Sequence, residues 1–259
     1  MLTFVGLGLY SAKDITVRGF EAVKSADIVY FEEYTSSLGG CDRLTLEEVF
    51  GRKIYPLSRE EIENEPEKIL LHATSHNVLL LTGGDPMIAT THVDLRLRAY
   101  DRGIRTNIIH APSIFTVVPG ITGLSSYKFG KTATISFPYR DKAESISDLP
   151  YDTIKQNRSH GLHTLLLLDI TYERQMTIKD ALEILETLET RHGEGLMKDL
   201  IFVGIARAGS EDMVVKAGGM KTLMEFDFGT PLHVLVAVGD LHFMEEEALC
   251  KFAGLERDL

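Results

Sequence analysis

The stretch VLLLTGGDP, residues 78–86, joins an apolar run to a turn that contains two adjacent glycines. The run from 78 to 81 is continuously apolar, which is typical of a strand whose two faces are both covered. Asp85 and Pro86 suit the N-cap and the first position of a following helix. The glycines are not needed for such a cap and suggest a loop that admits a ligand. The Asp85 carboxylate is then placed to pair with a cationic group such as an ammonium or a sulfonium.

Similar apolar runs occur along the whole chain, separated by stretches with helical periodicity. The predicted strands cover residues 2–5, 28–31, 78–81, 108–109, 165–168, 200–203 and 234–238. The predicted helices cover residues 16–26, 60–73, 91–101 and 243–253, together with one that starts at the capping pair Thr177 and Asp180 and stops at Gly193. This alternation predicts an α/β fold with mostly parallel sheets. Because Pro112 interrupts the pattern, we expect two α/β domains, residues 1–111 and 112–259.

The composition is that of an ordinary globular protein with an excess of acidic groups. The chain has 259 residues, is 44% hydrophobic, and carries 27 Lys and Arg against 38 Asp and Glu, a net charge of −11. Such an excess argues against a general nucleic-acid binder, which neutralises phosphates with basic side chains. The two cysteines do not form a disulfide framework, so we expect a cytoplasmic protein. The apolar N-terminus is predicted to be a strand rather than a signal peptide, and no apolar run approaches the ~18 residues that span a membrane.

Other glycine-containing turns exclude two familiar nucleotide sites. Gly6-Leu7-Gly8-Leu9 follows the first predicted strand, but Ser11 stands where the dinucleotide fingerprint has its third glycine. Gly130-Lys131-Thr132 matches the end of a phosphate-binding loop, but Ser125 stands where that motif begins with glycine. A nicotinamide or flavin site is therefore disfavoured and a P-loop ATPase is rejected. We expect Pro119–Gly123 to form a turn, and the small residues of Ala208-Gly209-Ser210 leave space for a flat ring.

The histidines do not indicate a metal site or a hydrolase. His72 and His76 are spaced for one helix face, but the intervening glutamate of a zinc-protease motif is missing, so no metal is expected. We interpret His92 and His110 as hydrogen-bonded structural residues, and His233 as a surface or internally satisfied one. No nucleophile elbow occurs, so the residues alone identify no catalytic group.

Taken together, these motifs strongly resemble those of the diphthine synthases, a branch of the tetrapyrrole-methylase fold class. The glycine–aspartate–proline turn is common to the whole class, whereas Ala89-Thr90-Thr91-His92 and His110-Ala111-Pro112-Ser113-Ile114 point to this branch. The resemblance covers nearly the full length and also includes the segments Gly6–Tyr10, Asp14–Thr16, Gly120–Leu124, Tyr127–Lys131, Gly161–Thr164 and Ala206–Ser210.

The resemblance implies two α/β domains of the tetrapyrrole-methylase type with S-adenosylmethionine in the cleft between them, in a homodimer. It implies a protein substrate, translation elongation factor 2, in which a histidine carries an aminocarboxypropyl group whose amine is methylated, three times in the archaeal relatives. It implies no direct contact with nucleic acid or membrane. The cofactor contacts of the family would fall on Leu9, Asp85, Ile88, Ser113, Ile114, Leu168, Ala208 and His233.

Methyl transfer from a sulfonium fits a chain without a conspicuous catalytic dyad, because the electrophile is already activated and the protein mainly orients donor and acceptor. Two alternatives remain open from sequence. One is a C-methyltransferase for a tetrapyrrole, whose many carboxylates call for a basic cleft that the charge of −11 disfavours. The other is a non-catalytic nucleotide-binding module.

Overall fold

The computed structural model describes residues 1–34, 38–171 and 173–256. The chain forms two compact units, Met1–Ile114 and Phe115–Leu259. The boundary expected from the sequence lies a little earlier, after residue 111. Among the described helices, none is both long and apolar enough to cross a membrane.

The first unit contains a five-stranded parallel sheet with the strand order β3-β2-β4-β1-β5. Its elements, in chain order, are β1 (Leu2–Gly6), α1 (Val17–Ser25), β2 (Ile28–Glu32), α2 (Arg43–Phe50), β3 (Tyr55–Leu57), α3 (Arg59–Glu63), α4 (Glu67–Ser75), β4 (Val78–Thr82), α5 (His92–Asp101) and β5 (Thr106–Ile109).

Both faces of this sheet are buried, which explains the continuous apolar runs. Val5 packs with α1 and α2 on one face, whereas Phe4 packs with α3, α4 and α5 on the other. The connections that leave β1 and β4, two neighbouring strands, therefore lead to helices on opposite faces. Such a reversal opens a crevice at the carboxyl edge of the sheet, where α/β proteins bind their ligands.

The single helix predicted for residues 60–73 is wrong, because two helices occupy that stretch. α3 ends at Glu63 and α4 begins at Glu67, with Pro66 as its N-cap. A proline has no N–H to continue the helical hydrogen bonds and disfavours a helical residue before it.

The second unit has a five-stranded sheet with the order β6-β7-β10-β8-β9. Its elements are α6 (Ile114–Thr122), β6 (Ala133–Ile135), α7 (Leu149–Arg158), β7 (Thr164–Leu168), α8 (Ile178–His192), β8 (Ile201–Ala206), β9 (Val214–Gly219), α9 (Met220–Glu225), β10 (His233–Ala237) and α10 (Phe243–Ala253), the first residue of α6 belonging to the first unit.

The prediction of a mostly parallel sheet is wrong for this unit. Among its described strands, β6 and β7 alone pair in parallel, while β10 is antiparallel to both of its neighbours and β9 is antiparallel to β8. Continuous apolar runs report that both faces are covered and carry no information about strand direction. The turn predicted for Pro119–Gly123 is also wrong in part, since residues up to Thr122 belong to α6 and Pro119 lies inside that helix.

The predicted helix after Thr177 is confirmed as α8. Thr177 and Asp180 form the reciprocal capping box, and Gly193 ends the helix in the left-handed conformation, with φ of +66°. Leu182, Leu185 and Leu188 are fully buried in the core of this unit.

Candidate functional site

Two glycine loops meet at the carboxyl edge of the first sheet. Gly8 follows β1 and Gly84 follows β4, and the two residues pair across the crevice. The Gly84 N–H donates to the Gly8 carbonyl at 2.7 Å, and the Gly8 N–H donates to the Gly84 carbonyl at 3.3 Å. Both have positive φ, +86° and +67°, a conformation that glycine adopts without a steric cost. The paired glycines therefore join the two loops into one rim.

Asp85 directly follows Gly84 and is buried. In the side-chain hydrogen bonds that the structure describes, its carboxylate is the acceptor. Its Oδ1 accepts from the Met87 N–H at 3.0 Å, and its Oδ2 accepts from His110 Nδ1 at 2.8 Å and from the Ala111 N–H at 3.3 Å. The interpretation of Asp85 as a helix N-cap with Pro86 in the first helical position is wrong, because α5 begins only at His92. Gly83 and Gly84 instead begin an irregular loop, residues 83–91. Asp85 connects this loop to the end of β5 through its contacts with His110 and Ala111.

The same loop is fixed a second time by a buried histidine and a buried glutamate. His92, fully buried, bonds to the Pro86 carbonyl through Nδ1 at 2.9 Å, and its Nε2 lies 3.0 Å from the Glu32 carboxylate. A carbonyl oxygen can only accept, so Nδ1 carries a proton. Ala89 lies in the same loop at φ of +55°, a strained conformation for a residue with a side chain. The interpretation of His92 as a structural residue is confirmed.

The other expected contact residues of the first unit lie around this rim. Leu9 is half-buried directly after Gly8, and Ile88 is exposed. Ser113 is buried, and a side chain built on Gly84 would come within 3.7 Å of its Cβ. Ile114, half-buried, begins α6. These residues suit a ligand with an apolar ring and polar ends.

A buried hydroxyl at this edge also agrees with a ligand site. Thr82 is the last residue of β4, and its Oγ1 has no hydrogen-bond partner within the described part of the chain. Leaving a buried hydroxyl without a partner is costly, so such groups usually find one in a ligand or a water. The Thr82 hydroxyl and the apolar side chains at the rim fit S-adenosylmethionine, whose adenine is flat and whose amino-acid end is polar.

The three expected contact residues of the second unit also share one sheet edge. Leu168 ends β7, and His233 begins β10, which runs antiparallel to β7 with Val234 opposite Leu167. His233 stands opposite Ala206, the last residue of β8, and Ala208 follows two residues later. The structure therefore brings Leu168, Ala208 and His233 to the same edge.

His233 is internally satisfied, as expected. Its Nε2 lies 3.1 Å from the Thr230 carbonyl, and its Nδ1 accepts from the Ile178 N–H at 3.2 Å, at the start of α8. Burial, together with the nearby Arg207 guanidinium, outweighs the hydrogen bonds and holds the pKa of His233 below its ordinary value. The ring is therefore a neutral structural group, and any ligand contact by this residue falls on its remaining surface.

Arg207 shapes the Ala208 loop and was not singled out from the sequence. Its guanidinium donates to the carbonyls of Phe228 and Thr230, both at 2.7 Å, and lies 2.8 Å from the Asp212 carboxylate. Its φ is +53°, so the backbone is strained where the chain leaves β8. The available signal was a lone arginine between two alanines directly after a buried strand.

The opposite edge of the second sheet holds a buried ionic cluster. Glu245 of α10 accepts from Lys128 at 2.6 Å and from His163 Nε2 at 3.0 Å, and also from the backbone N–H groups of Ser125 and His242, both at 2.8 Å. Burial alone would raise the pKa of Glu245, but these donors outweigh it and lower the pKa to about 2. Two motifs of the family resemblance, Tyr127–Lys131 and Gly161–Thr164, thus serve this cluster rather than the edge that carries Leu168.

Comparison with known proteins identifies the family. Residues 1–223 match the family of Tetrapyrrole (Corrin/Porphyrin) Methylases. The diphthine synthase of Methanosarcina acetivorans is 53% identical over 257 residues, 98% of this chain and 96% of the relative, and that of Methanocella arvoryzae is 52% identical over 258 residues, 99% of each. A crystal structure of a diphthine synthase superposes with a TM-score of 0.91 at 46% identity, over 98% of this chain and 96% of the other. The chain belongs to the diphthine synthases of the tetrapyrrole methylase family, the S-adenosylmethionine-dependent methyltransferases of diphthamide biosynthesis.

Proposed function

We propose that this protein methylates the amine of an aminocarboxypropyl-modified histidine in translation elongation factor 2, three times, to give diphthine. Identity near 50% to diphthine synthases over almost the whole chain supports this substrate. The structural observation that carries the proposal is the rim at the carboxyl edge of the first sheet, where paired glycines and Asp85 form a ligand loop at the reversal of strand order.

The proposed cofactor contacts are those that the resemblance implies, Leu9, Asp85, Ile88, Ser113 and Ile114 of the first unit and Leu168, Ala208 and His233 of the second. When bound, S-adenosylmethionine supplies a methyl group that is already activated by its sulfonium charge. The chain then binds, orients and excludes water, tasks that suit irregular loops fixed by buried polar groups. Asp85 and Arg207 fix these loops, because each of them forms hydrogen bonds to backbone groups from two separate parts of the sequence.

We further propose a cytoplasmic homodimer. A translation factor as substrate agrees with that compartment, as do the two free cysteines, Cys41 and Cys250. Size-exclusion chromatography with light scattering tests the dimer, since a monomer at all accessible concentrations would contradict it.

The decisive assay compares two acceptors. Purified protein with labelled S-adenosylmethionine is incubated with modified elongation factor 2 or with a precorrin, and the modified histidine is analysed by mass spectrometry. We expect the label on the factor, as a series of one, two and three methyl groups, and none on the precorrin. Label on the precorrin alone would support a tetrapyrrole methyltransferase, and cofactor binding without turnover on either acceptor would support a binding module.

A further inference from the structure

His110 lies at the rim, where one of its ring nitrogens is hydrogen-bonded to Asp85 and the rest of the ring is exposed. It directly follows β5, the strand beside β1, and exposes 69% of its side chain. Its Nδ1 lies 2.8 Å from Asp85 Oδ2. The sequence-based interpretation of His110 as hydrogen-bonded is therefore confirmed, but the bond uses only one side of the ring.

The direction of this hydrogen bond follows from the other contacts of Asp85. Its carboxylate already accepts N–H groups from Met87 and Ala111, one at each oxygen, so it acts as the ionised acceptor. His110 Nδ1 is therefore the donor. In the neutral imidazole the other nitrogen, Nε2, then has a lone pair and no proton, which is the form of a base.

A buried carboxylate that orients an exposed imidazole is the arrangement used for general bases. Asp85 here fixes the tautomer and the direction of the ring, and the exposed ring is open to a substrate that approaches the rim. His92, by contrast, is fully buried, with Nδ1 bonded to the Pro86 carbonyl and Nε2 3.0 Å from the Glu32 carboxylate, so it cannot meet a substrate.

The proposed reaction requires such a base. An alkyl amine is protonated near neutral pH and must lose a proton before its lone pair can attack a methyl carbon. Each transfer forms an N–C bond while the C–S bond of the sulfonium breaks and its electron pair goes to sulfur. The first two transfers leave an ammonium that must lose a proton again, whereas the third leaves a quaternary ammonium. Three protons leave the nitrogen in all.

We propose that His110 Nε2 accepts these protons from the substrate amine and passes them to solvent, with Asp85 as its positioning residue. This inference rests on the proposed function and assigns a proton acceptor to the same site. The charge balances, because the imidazolium formed at each step sits against the Asp85 carboxylate and returns to the neutral ring when solvent takes the proton.

The test uses the full chain with modified elongation factor 2 and follows each methyl group by mass spectrometry under single-turnover conditions. The variants are His110→Ala, His110→Gln and, as a matched control, His76→Ala, an exposed histidine at the opposite edge of the same sheet. The His110→Gln side chain can still donate to Asp85 but has no basic nitrogen. Thermal unfolding confirms that each variant is folded, as expected for a side chain so exposed.

We expect both His110 variants to slow methyl transfer about 100-fold, within the range for loss of a general base, while His76→Ala leaves it unchanged. Cofactor affinity measured by calorimetry should change less than about twofold in His110→Ala, and added imidazole should recover about tenfold of the lost rate. Three results would each overturn the proposal: a wild-type rate in His110→Ala, a rate of methyl transfer in His110→Gln close to that of wild type, or no gain in rate when imidazole is added to His110→Ala.

A spectroscopic measurement separates this inference from the proposed function. Nitrogen-15 NMR of the neutral His110 ring in the free protein should show a protonated Nδ1 and an unprotonated Nε2, and the reverse tautomer would overturn the inference alone. A wild-type protein inactive on the factor would instead contradict the proposed function, and the assignment of this base with it.

Discussion

Among the described residues, each unit contains one buried pair of a histidine and a glutamate, and the groups that surround the two pairs differ. In the first unit, His92 bonds to a carbonyl with Nδ1 and faces Glu32 with Nε2. In the second, His163 accepts the Gly239 N–H at Nδ1 and donates from Nε2 to Glu245. Burial outweighs the Glu245 carboxylate and lowers the pKa of His163, which stays neutral.

The difference teaches that the surrounding groups, not the residue types, decide where the charge lies. The Glu245 carboxylate is surrounded by four donors, including the Lys128 ammonium, and must stay ionised. Glu32 instead lies against His92, whose other nitrogen donates to the Pro86 carbonyl. The first pair supports the ligand loop at Pro86, while the second braces an edge remote from Leu168.

The largest effect is expected from Glu245→Gln. The amide NH₂ of the glutamine would face a donor where the carboxylate accepted one, and the Lys128 ammonium would lose its counter-charge. We expect the free energy of unfolding in urea to fall by about 2–4 kcal/mol. The control is Glu247→Gln on the same helix, where an exposed pair with Lys251 is lost at a cost below about 1 kcal/mol. Equal effects of the two substitutions would contradict the cluster.

The second prediction concerns acid. The pKa of Glu245 is about 2 in the folded protein, against an ordinary 4.5. The carboxylate therefore stabilises the fold fully above its ordinary pKa, and this contribution is lost as pH falls from about 4.5 towards about 2. We expect the stability difference between wild type and Glu245→Gln to shrink by about half between pH 6 and pH 3. A difference independent of pH over that range would show that Glu245 is not held ionised.

The third prediction separates the ligand loop from the remote cluster. Asp85→Ala removes the acceptor for Met87, His110 and Ala111, so the loop loses its tie to β5. We expect S-adenosylmethionine affinity, measured by calorimetry, to fall about tenfold or more, equivalent to about 1.4 kcal/mol. Glu245→Gln, assayed under conditions where it is folded, should bind within about twofold of wild type. The reverse ranking would contradict the placement of the site.

The smallest effect is expected from Glu32→Gln. The glutamine NH₂ can donate to His92 Nε2 while Nδ1 continues to donate to Pro86, and the amide oxygen stays available as an acceptor. We expect a loss of stability below about 1 kcal/mol and cofactor affinity within about twofold of wild type. A loss as large as that of Glu245→Gln would show that Glu32 is required as a charge.

The strands that the sequence predicted are those with long apolar runs, because a strand buried on both faces consists almost entirely of apolar residues. The missed strands are β3, β6 and β9: two are only three residues long, and β9 contains a lysine and two glycines. The antiparallel pairing of β10 depends on which strands the chain brings together, and no local run of residues encodes it.

The residues of the site could be predicted from the sequence where a loop motif alone indicates ligand binding. Gly83, Gly84 and Asp85 follow a predicted strand, so their position at the carboxyl edge of a sheet could be expected. The link from Asp85 to His110 joins residues 25 positions apart and depends on β4 and β5 lying on either side of β1 in the sheet. The role of Glu32 likewise requires three-dimensional proximity to His92, which no spacing in the sequence indicates.

The account depends on cofactor binding at the rim formed by the paired glycines and Asp85. A crystal structure of the chain grown with S-adenosylhomocysteine measures this directly. We predict electron density for the ligand against the loop of residues 83–91 and in contact with Leu9, Ile88 and Ser113. Well-ordered crystals with the ligand bound elsewhere, or with this rim empty at saturating ligand, would contradict the account.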